Sequence, residues 1–464
     1  MRLKMTPPLD PTFQPLSIGY RDFAAAVRES DSQEAVLAVE RGHGHVSTFR
    51  FSIFADGTGH DEANYAMAER VAKTLLWARG GYRLIVAGSK PVYERLGEAY
   101  REGGSRAFDA GFMARVYERP FEVVYIADVK NAPEDRESAS PIGRHLEGCR
   151  IGFDAGGSDR KVSAVIDGNA VYSEEVVWHP KTRGDPSYHY QGILEAMKTA
   201  ASRMPRVDAI GVSSAGIYID NRIMAASLFL KVSDEDFDAH VKNMYIDVAK
   251  EIGDVPLTVA NDGDVTALAG AMELKDGNVL GIAMGTSEAG GFVDGDGNIT
   301  GWLNELAFVP VDASPGAAMD EWSGDIGCGV KYFSQDAVIK LAPAAGIALD
   351  QAASPGEKLK AVQKAMEAGH AGAADIYASI GVYLGYALGW YDLFYDFRHL
   401  LLMGRVTSGE GGTILAEKAK RVLEAEFPAL AKKLTIHLPD ENNRRVGQSV
   451  AAASLPALCE GDCA

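Results

Sequence analysis

Cysteine is scarce, with four in 464 residues, far apart except for Cys459 and Cys463 near the C-terminal end. So few thiols do not make a disulfide framework, and a reduced, cytoplasmic protein is the simplest expectation. No apolar run approaches the roughly 20 residues needed to cross a bilayer, so no membrane partner is expected. Met1 to Pro15 carries few apolar residues and several prolines, unlike a secretion leader. Positive charge is also short: 46 Lys and Arg face 64 Asp and Glu, a formal net charge of −18. Such a surface repels phosphate backbones, and the first third shows no helix-turn-helix pattern, so no nucleic-acid partner is expected. A few aimed backbone N–H groups can still hold a phosphorylated small molecule locally.

Low-complexity segments are missing too, and 47% hydrophobic with 24% charged residues describes a globular chain throughout. Its length points to two or three domains. Many of the 50 glycines cluster just after apolar runs, the pattern of an α/β protein with many strand-to-loop junctions.

Along the chain, Thr48–Phe54 alternates like a strand, and Asp61–Arg79 sets Met67, Val71 and Leu75 at helical spacing. Thr58 and Asp61 have the spacing of a capping box. Strands follow at Tyr82–Ala87 and Glu122–Ala127, with helices around Val92–Tyr100 and Phe108–Tyr117. This predicts a small N-terminal α/β domain within 1–145, closed by a charged, Pro- and Ser-bearing linker, Asn131–Pro141. From Arg150 the chain restarts, with strands predicted at 208–213, 257–260, 279–284 and 399–403. Helices are predicted at 190–203, 236–252, 264–273, 372–396 and 412–425, the fourth a buried one rich in Gly, Ala, Tyr and Leu.

Four motifs carry chemistry. In the first, the strand Ile151-Gly-Phe-Asp154 runs into Ala-Gly156-Gly157-Ser158, and a second strand containing Lys161 leads away. Glycines let backbone N–H groups approach a phosphate, Asp154 suits Mg²⁺ held through water, and Lys161 would approach the phosphates. A plain β-hairpin fits the same residues. The second motif repeats the theme about 130 residues later, where a strand ends in Gly285-Thr286-Ser287 and returns through Gly290-Gly291. Two copies of strand–Gly–Ser/Thr–strand suggest a duplicated fold, and the pair is far more specific than either half. By contrast, Asp56-Gly-Thr-Gly59 leads into a helix and reads as a turn with a cap.

The third motif, Leu257-Thr-Val-Ala-Asn261-Asp262-Gly-Asp264, ends a strand in acidic groups. A carboxylate there can accept the proton of an attacking hydroxyl, and an Asx turn with a helix cap is the alternative. Asp262 is the better base and Asp264 the better cap. The fourth, Leu401-Leu-Met-Gly404-Arg405-Val-Thr-Ser-Gly409, takes a strand through a Gly-rich loop into a helix. That loop suits an adenosine moiety, and equally an ordinary connection.

In this order, the motifs of 150–460 resemble the ROK family of sugar kinases and related regulators, within the duplicated ribonuclease-H-like fold of actin, hexokinase and chaperone ATPases. The resemblance implies lobes at about 150–260 and 261–460, ATP and sugar in the cleft between them, Mg²⁺, and a homodimer. It leaves the N-terminal domain unexplained. Carried over by position, Asp262 matches the family's catalytic Asp and Asn261 a sugar-hydroxyl ligand. Ser214, in Gly211-Val-Ser-Ser214-Ala-Gly216, lies in the connecting strand before the sugar pocket. Trp302-Leu-Asn-Glu305-Leu-Ala-Phe308 lines up with the family's Ala-Gly-Glu-Ile-Gly-His stretch, so Glu305 would accept from sugar hydroxyls. The nucleotide would lie against Asp154, Gly156, Gly157, Ser158, Lys161, Gly285, Thr286, Ser287, Gly404 and Gly409.

The departures are specific. The family's His is Phe308 here, and of its three zinc-binding cysteines only Cys328 remains, within Glu321–Cys328. One thiol does not build a tetrahedral site, so no zinc is expected. Met403-Gly404-Arg405 stands in place of the family's glycine run. An ATP-dependent sugar kinase is the leading expectation. A sugar-sensing regulator and a ligand-binding pseudokinase are the alternatives.

Overall fold

The structure is a computed structural model that describes residues 2–137, 142–439 and 441–458, with backbone only for 441–446. Cys459, Cys463 and the end of the expected linker lie outside the described residues. The protein is mixed α/β with several sheets. It divides into two compact units: Met1–Ser138, Ile282–Gly290 and Trp302–Leu438 form the first, and Ala139–Gly281, Gly291–Gly301 and Pro439–Ala464 the second.

The division differs from the expected boundaries. Residues 1–138 share a unit with 302–438 instead of standing alone, and after entering the second unit at Ala139 the chain returns to the first at Ile282 rather than near 260. The reason is side-chain chemistry at long range. Trp77 stacks on Phe308 with ring centroids 4.1 Å apart, and Trp390 Nε1 donates to Thr74 Oγ1 at 3.0 Å. A six-residue ion cluster buries Glu69, Arg70, Lys73, Arg106, Asp109 and Asp325 together. Helix Ala371–Tyr391 is buried on nearly all sides, which is why its sequence is apolar all round. Two of its tyrosine hydroxyls still find partners, Tyr383 on Asp10 at 2.6 Å and Tyr386 on Glu426 at 3.0 Å. Among the described residues, no helix is long and apolar enough to cross a membrane.

In the first unit, strands Val46–Phe54, Ser32–Glu40, Arg83–Ala87 and Glu122–Ile126 form one sheet in that order, the last pair parallel. The strand Ser32–Glu40 and the helix Leu16–Arg28 have no counterpart in the sequence reading. Helix Asp61–Arg79 begins and ends as expected, but its cap differs. The Thr58 hydroxyl donates to the Ala55 carbonyl, and His60 precedes the helix without a side-chain cap, so the capping box does not form.

The second unit centres on a five-stranded sheet, ordered Leu257–Asn261, Ala209–Ser214, Cys149–Ala155, Asp159–Ile166, Asn169–Val177. The last three form an antiparallel meander, and the first three are parallel. Helix Glu441–Ala453 lies directly on this sheet because Gly152 and Gly211 present no side chain where its backbone passes. A further four-stranded sheet is ordered Glu288–Val293, Val279–Met284, His399–Met403, Thr435–His437, and Ile217–Ile219 pairs with Arg222–Ala225 in a two-stranded one.

Candidate active site

In the second unit, Asp154 stands near the end of strand Cys149–Ala155, and Gly156, Gly157 and Ser158 make the turn to Asp159–Ile166. The turn is fixed from outside by Trp178, whose Nε1 donates to the Gly156 carbonyl at 2.7 Å. Asp154 is buried, accepts from the Ser213 hydroxyl at 3.0 Å, and has the Lys161 ammonium 3.8 Å away. Burial pushes its carboxyl up to about 6; Lys161 opposes the shift and the charge of Asp262 adds to it. Lys161 pairs more closely with Asp159, at 3.2 Å.

Asp262 opens helix Asp262–Leu274, directly after strand Leu257–Asn261. Burial raises its carboxyl above the ordinary range, against the Gly263 N–H bond and the Lys181 ammonium. Asp154 and Asp262 are thus within electrostatic reach of each other, each with its charged form disfavoured. The cap is different. Asn261, not Asp264, caps the helix, its Oδ1 accepting from Gly263 N–H at 2.7 Å while its Nδ2 donates to the Gly216 carbonyl at 2.8 Å. Asp264 is buried and takes the Phe292 N–H at 3.0 Å. Ser214 is fully buried, with its hydroxyl accepting from Tyr245 at 3.1 Å. Lys181 went unnoticed in the sequence. Its side chain lies against Gly157, where an added Cβ would come within 2.8 Å of Cε. Nothing in the sequence links two positions 24 residues apart across two intervening strands.

In the first unit, Gly285, Thr286 and Ser287 turn between Val279–Met284 and Glu288–Val293, and Gly285 N–H donates to the Ser287 carbonyl at 3.0 Å. Gly404 and Arg405 come to the same edge, Arg405 reaching Thr286 Oγ1 at 3.4 Å. Gly409 follows, at φ 70°, immediately before helix Glu410–Glu426. Gly404 has φ 94°, and any Cβ there would overlap the Met284 backbone. Gly404→Ala therefore combines a disfavoured dihedral with a backbone clash. It should lower unfolding stability by at least ~1 kcal/mol in urea titration; an unchanged midpoint would show that the loop relaxes freely.

Glu305 is half-buried and held by its backbone. The N–H groups of Leu303, Asn304 and Glu305 donate to the carbonyls of Arg79, Ala78 and Trp77 at 3.3, 3.0 and 3.1 Å. These carbonyls belong to the last turn of helix Asp61–Arg79, which would otherwise leave them unpaired. Phe308 turns onto Trp77, whose Nε1 donates to Asp109 at 2.9 Å. In the stretch Glu321–Cys328, Asp325 meets Arg70 at 3.0 Å, Lys73 at 2.9 Å and Arg106 at 2.9 Å. Burial alone would raise the Asp325 carboxyl, but the three cations hold it far below the usual range. The Cys328 thiol is buried, which pushes it up to about 12.

No family model matches the sequence, and no curated protein matches it. Among solved structures the chain is similar to a ROK hexokinase from Thermus thermophilus, with TM-score 0.52 and 18% identity over 66% of this chain and 97% of that one. It is similar to the same degree to a ROK-family transcriptional regulator described as a homologue of the E. coli MLC protein, with TM-score 0.52 and 17% identity over 67% of this chain and 78% of that one. Some two thirds of the chain therefore has the fold of ROK-family proteins.

Proposed function

We propose that the protein is an ATP-dependent sugar kinase of the duplicated, two-lobed type, transferring the γ-phosphoryl of ATP to a hydroxyl of a hexose or related sugar. The observation that carries this reading is the pair of carboxyls, Asp154 and Asp262, set beside a glycine turn at one end of the second unit's sheet. In the proposed reaction Asp262 takes the proton of the sugar hydroxyl. The sugar oxygen bonds to the γ-phosphorus, the bond to the β,γ-bridging oxygen breaks, and ADP leaves. Backbone N–H groups of Gly156–Ser158 and of Gly285–Ser287 are assigned to phosphate oxygens, and Gly404 and Gly409 to the adenosine side. Asn261 and Glu305 are assigned to sugar hydroxyls. Ser214 accepts the Tyr245 hydroxyl and so holds that ring in the second unit's core.

The donor set suits a hard divalent cation. Both carboxyls are raised, and Asp154 has a single ammonium within 4 Å, so negative potential at this spot is under-compensated. Asp154 would hold Mg²⁺ through water, and the ion would supply neutralisation of phosphate charge.

An ADP-release assay over hexoses, amino sugars and polyols tests the reading. Turnover on at least one sugar is expected. ATP and sugar binding without turnover would make the protein a ligand sensor, and retention of its own upstream DNA in a gel shift would make it a regulator. Lys181, resting on Gly157, is placed to meet a phosphate there. Lys181→Met should raise KM for ATP by about tenfold, the equivalent of ~1.4 kcal/mol, with a smaller change in KM for sugar. An unchanged KM for ATP would remove Lys181 from the site.

A further inference from the structure

Among the described residues of the first unit, Glu288 and Tyr391 are buried polar side chains with no hydrogen-bond partner. Glu288 is 3% exposed, and neither of its carboxyl oxygens has a hydrogen-bond partner. Tyr391 is fully buried, and its hydroxyl has no partner either. The two lie within electrostatic reach of each other, and Glu288 lies within reach of Glu305. Backbone forms one wall: any side chain at Gly329 would overlap both the Glu288 carboxyl and the Leu306 carbonyl. An unbonded carboxyl in such a place is costly, and an apolar residue on this strand would avoid the cost. Glu288 also follows Ser287 directly, at the end of the glycine turn assigned to phosphate. A residue that weakens the fold at a candidate site is one that function can retain.

We propose that Glu288 and Tyr391, together with Glu305, form a subsite that binds hydroxyl groups of the sugar substrate. The proposal rests on the sugar-kinase reading and adds specificity-determining residues to it. Burial, reinforced by the charge of Glu305, raises the Glu288 carboxyl and so favours its neutral form. A neutral carboxyl offers one O–H donor and a carbonyl acceptor, Tyr391 a donor and an acceptor, and Glu305 acceptors alone. Adjacent hydroxyls of an uncharged ring, each able to donate and accept, match that set. A sugar acid would meet the Glu305 carboxylate and be disfavoured. With Phe308 turned onto Trp77, Glu288 supplies a polar contact of a kind that phenylalanine cannot.

The test is calorimetric titration of the full chain with glucose, mannose, galactose and their N-acetylamino forms, alongside steady-state kinetics and thermal unfolding. Glu288→Met should raise Tm by about 2 °C, since it removes an unbonded polar group. The same variant should weaken sugar binding by about tenfold and leave ATP affinity within about twofold, which a purely structural role would not produce. Glu288→Gln, which keeps a donor and an acceptor, should stay within about threefold of wild type, and Tyr391→Phe should lose about fivefold. If Glu288→Met folds poorly, the Gln and Phe variants decide. Wild-type sugar affinity in Glu288→Met, or in Tyr391→Phe where the Met variant folds poorly, overturns the subsite and leaves the kinase reading intact. Unmutated protein that binds ATP but no sugar overturns both, and the two failures are told apart by which protein shows them.

Discussion

Asp262→Asn is expected to lower kcat for sugar phosphorylation by about 10²–10⁴-fold, the usual contribution of a positioned general base. Asparagine has nearly the same shape and can keep an oxygen on the Gly263 N–H, which Asp262 holds at 3.0 Å. Fold and helix start should therefore survive. What is lost is the capacity to take a proton. The charge of Asp262 also helps raise the Asp154 carboxyl, so its removal should let Asp154 ionise more readily. KM for ATP should then change little while kcat collapses, the pattern of an interaction made in the transition state. A variant that keeps kcat within about threefold of wild type would show that another group accepts the proton, or that none needs to.

The second large effect is on stability. Asp325→Ala should cost about 3–5 kcal/mol in urea unfolding, as breaking buried ion pairs typically does. Asp325 is the carboxylate shared by Arg70, Lys73 and Arg106, and its loss leaves three buried cations with only Glu69 and Asp109. Salt should rescue little, because the cluster is out of reach of counterions. The paired change Asp325→Asn with Lys73→Met removes one charge of each sign and should recover a substantial part of the loss. Equal losses in the single and double variants would mean that packing, not charge balance, dominates here. The cluster joins helix Asp61–Arg79 and helix Ala107–Tyr117 to the loop around Cys328, so the same variant should also loosen the segment that carries Glu305 and Phe308.

Local pattern made much of this legible in the sequence. Helix Asp61–Arg79 followed from its spacing, and the strands around Asp154, Asp262 and Gly285 followed from apolar runs closed by glycine. Strand Ser32–Glu40 was missed because Ala35 to Val39 are all buried, so no alternation marks it. The grouping of 1–138 with 302–438 has no local signature, since Trp77 on Phe308 and Arg70 on Asp325 are pairings across more than 200 residues. Glu288 was passed over as one charged residue beginning a strand, and only its burial without partners sets it apart. Asn261 rather than Asp264 caps the helix because a helix can start earlier than its apolar pattern suggests.

The opening residues of the chain are tied to its far end. Lys4 N–H donates to Glu426 at 2.8 Å across 422 residues, and Asp10 receives the Tyr383 hydroxyl across 373. A ribosome adds about 5–20 residues per second, so Lys4 emerges roughly 20–80 s before its partner exists. Through that interval the buried Phe13 waits for Tyr332, Tyr383 and Tyr386, the rings it packs against in the finished protein. Residues made hundreds of positions before their partners thus wait to be packed, and the nascent chain offers a chaperone an apolar target through that interval.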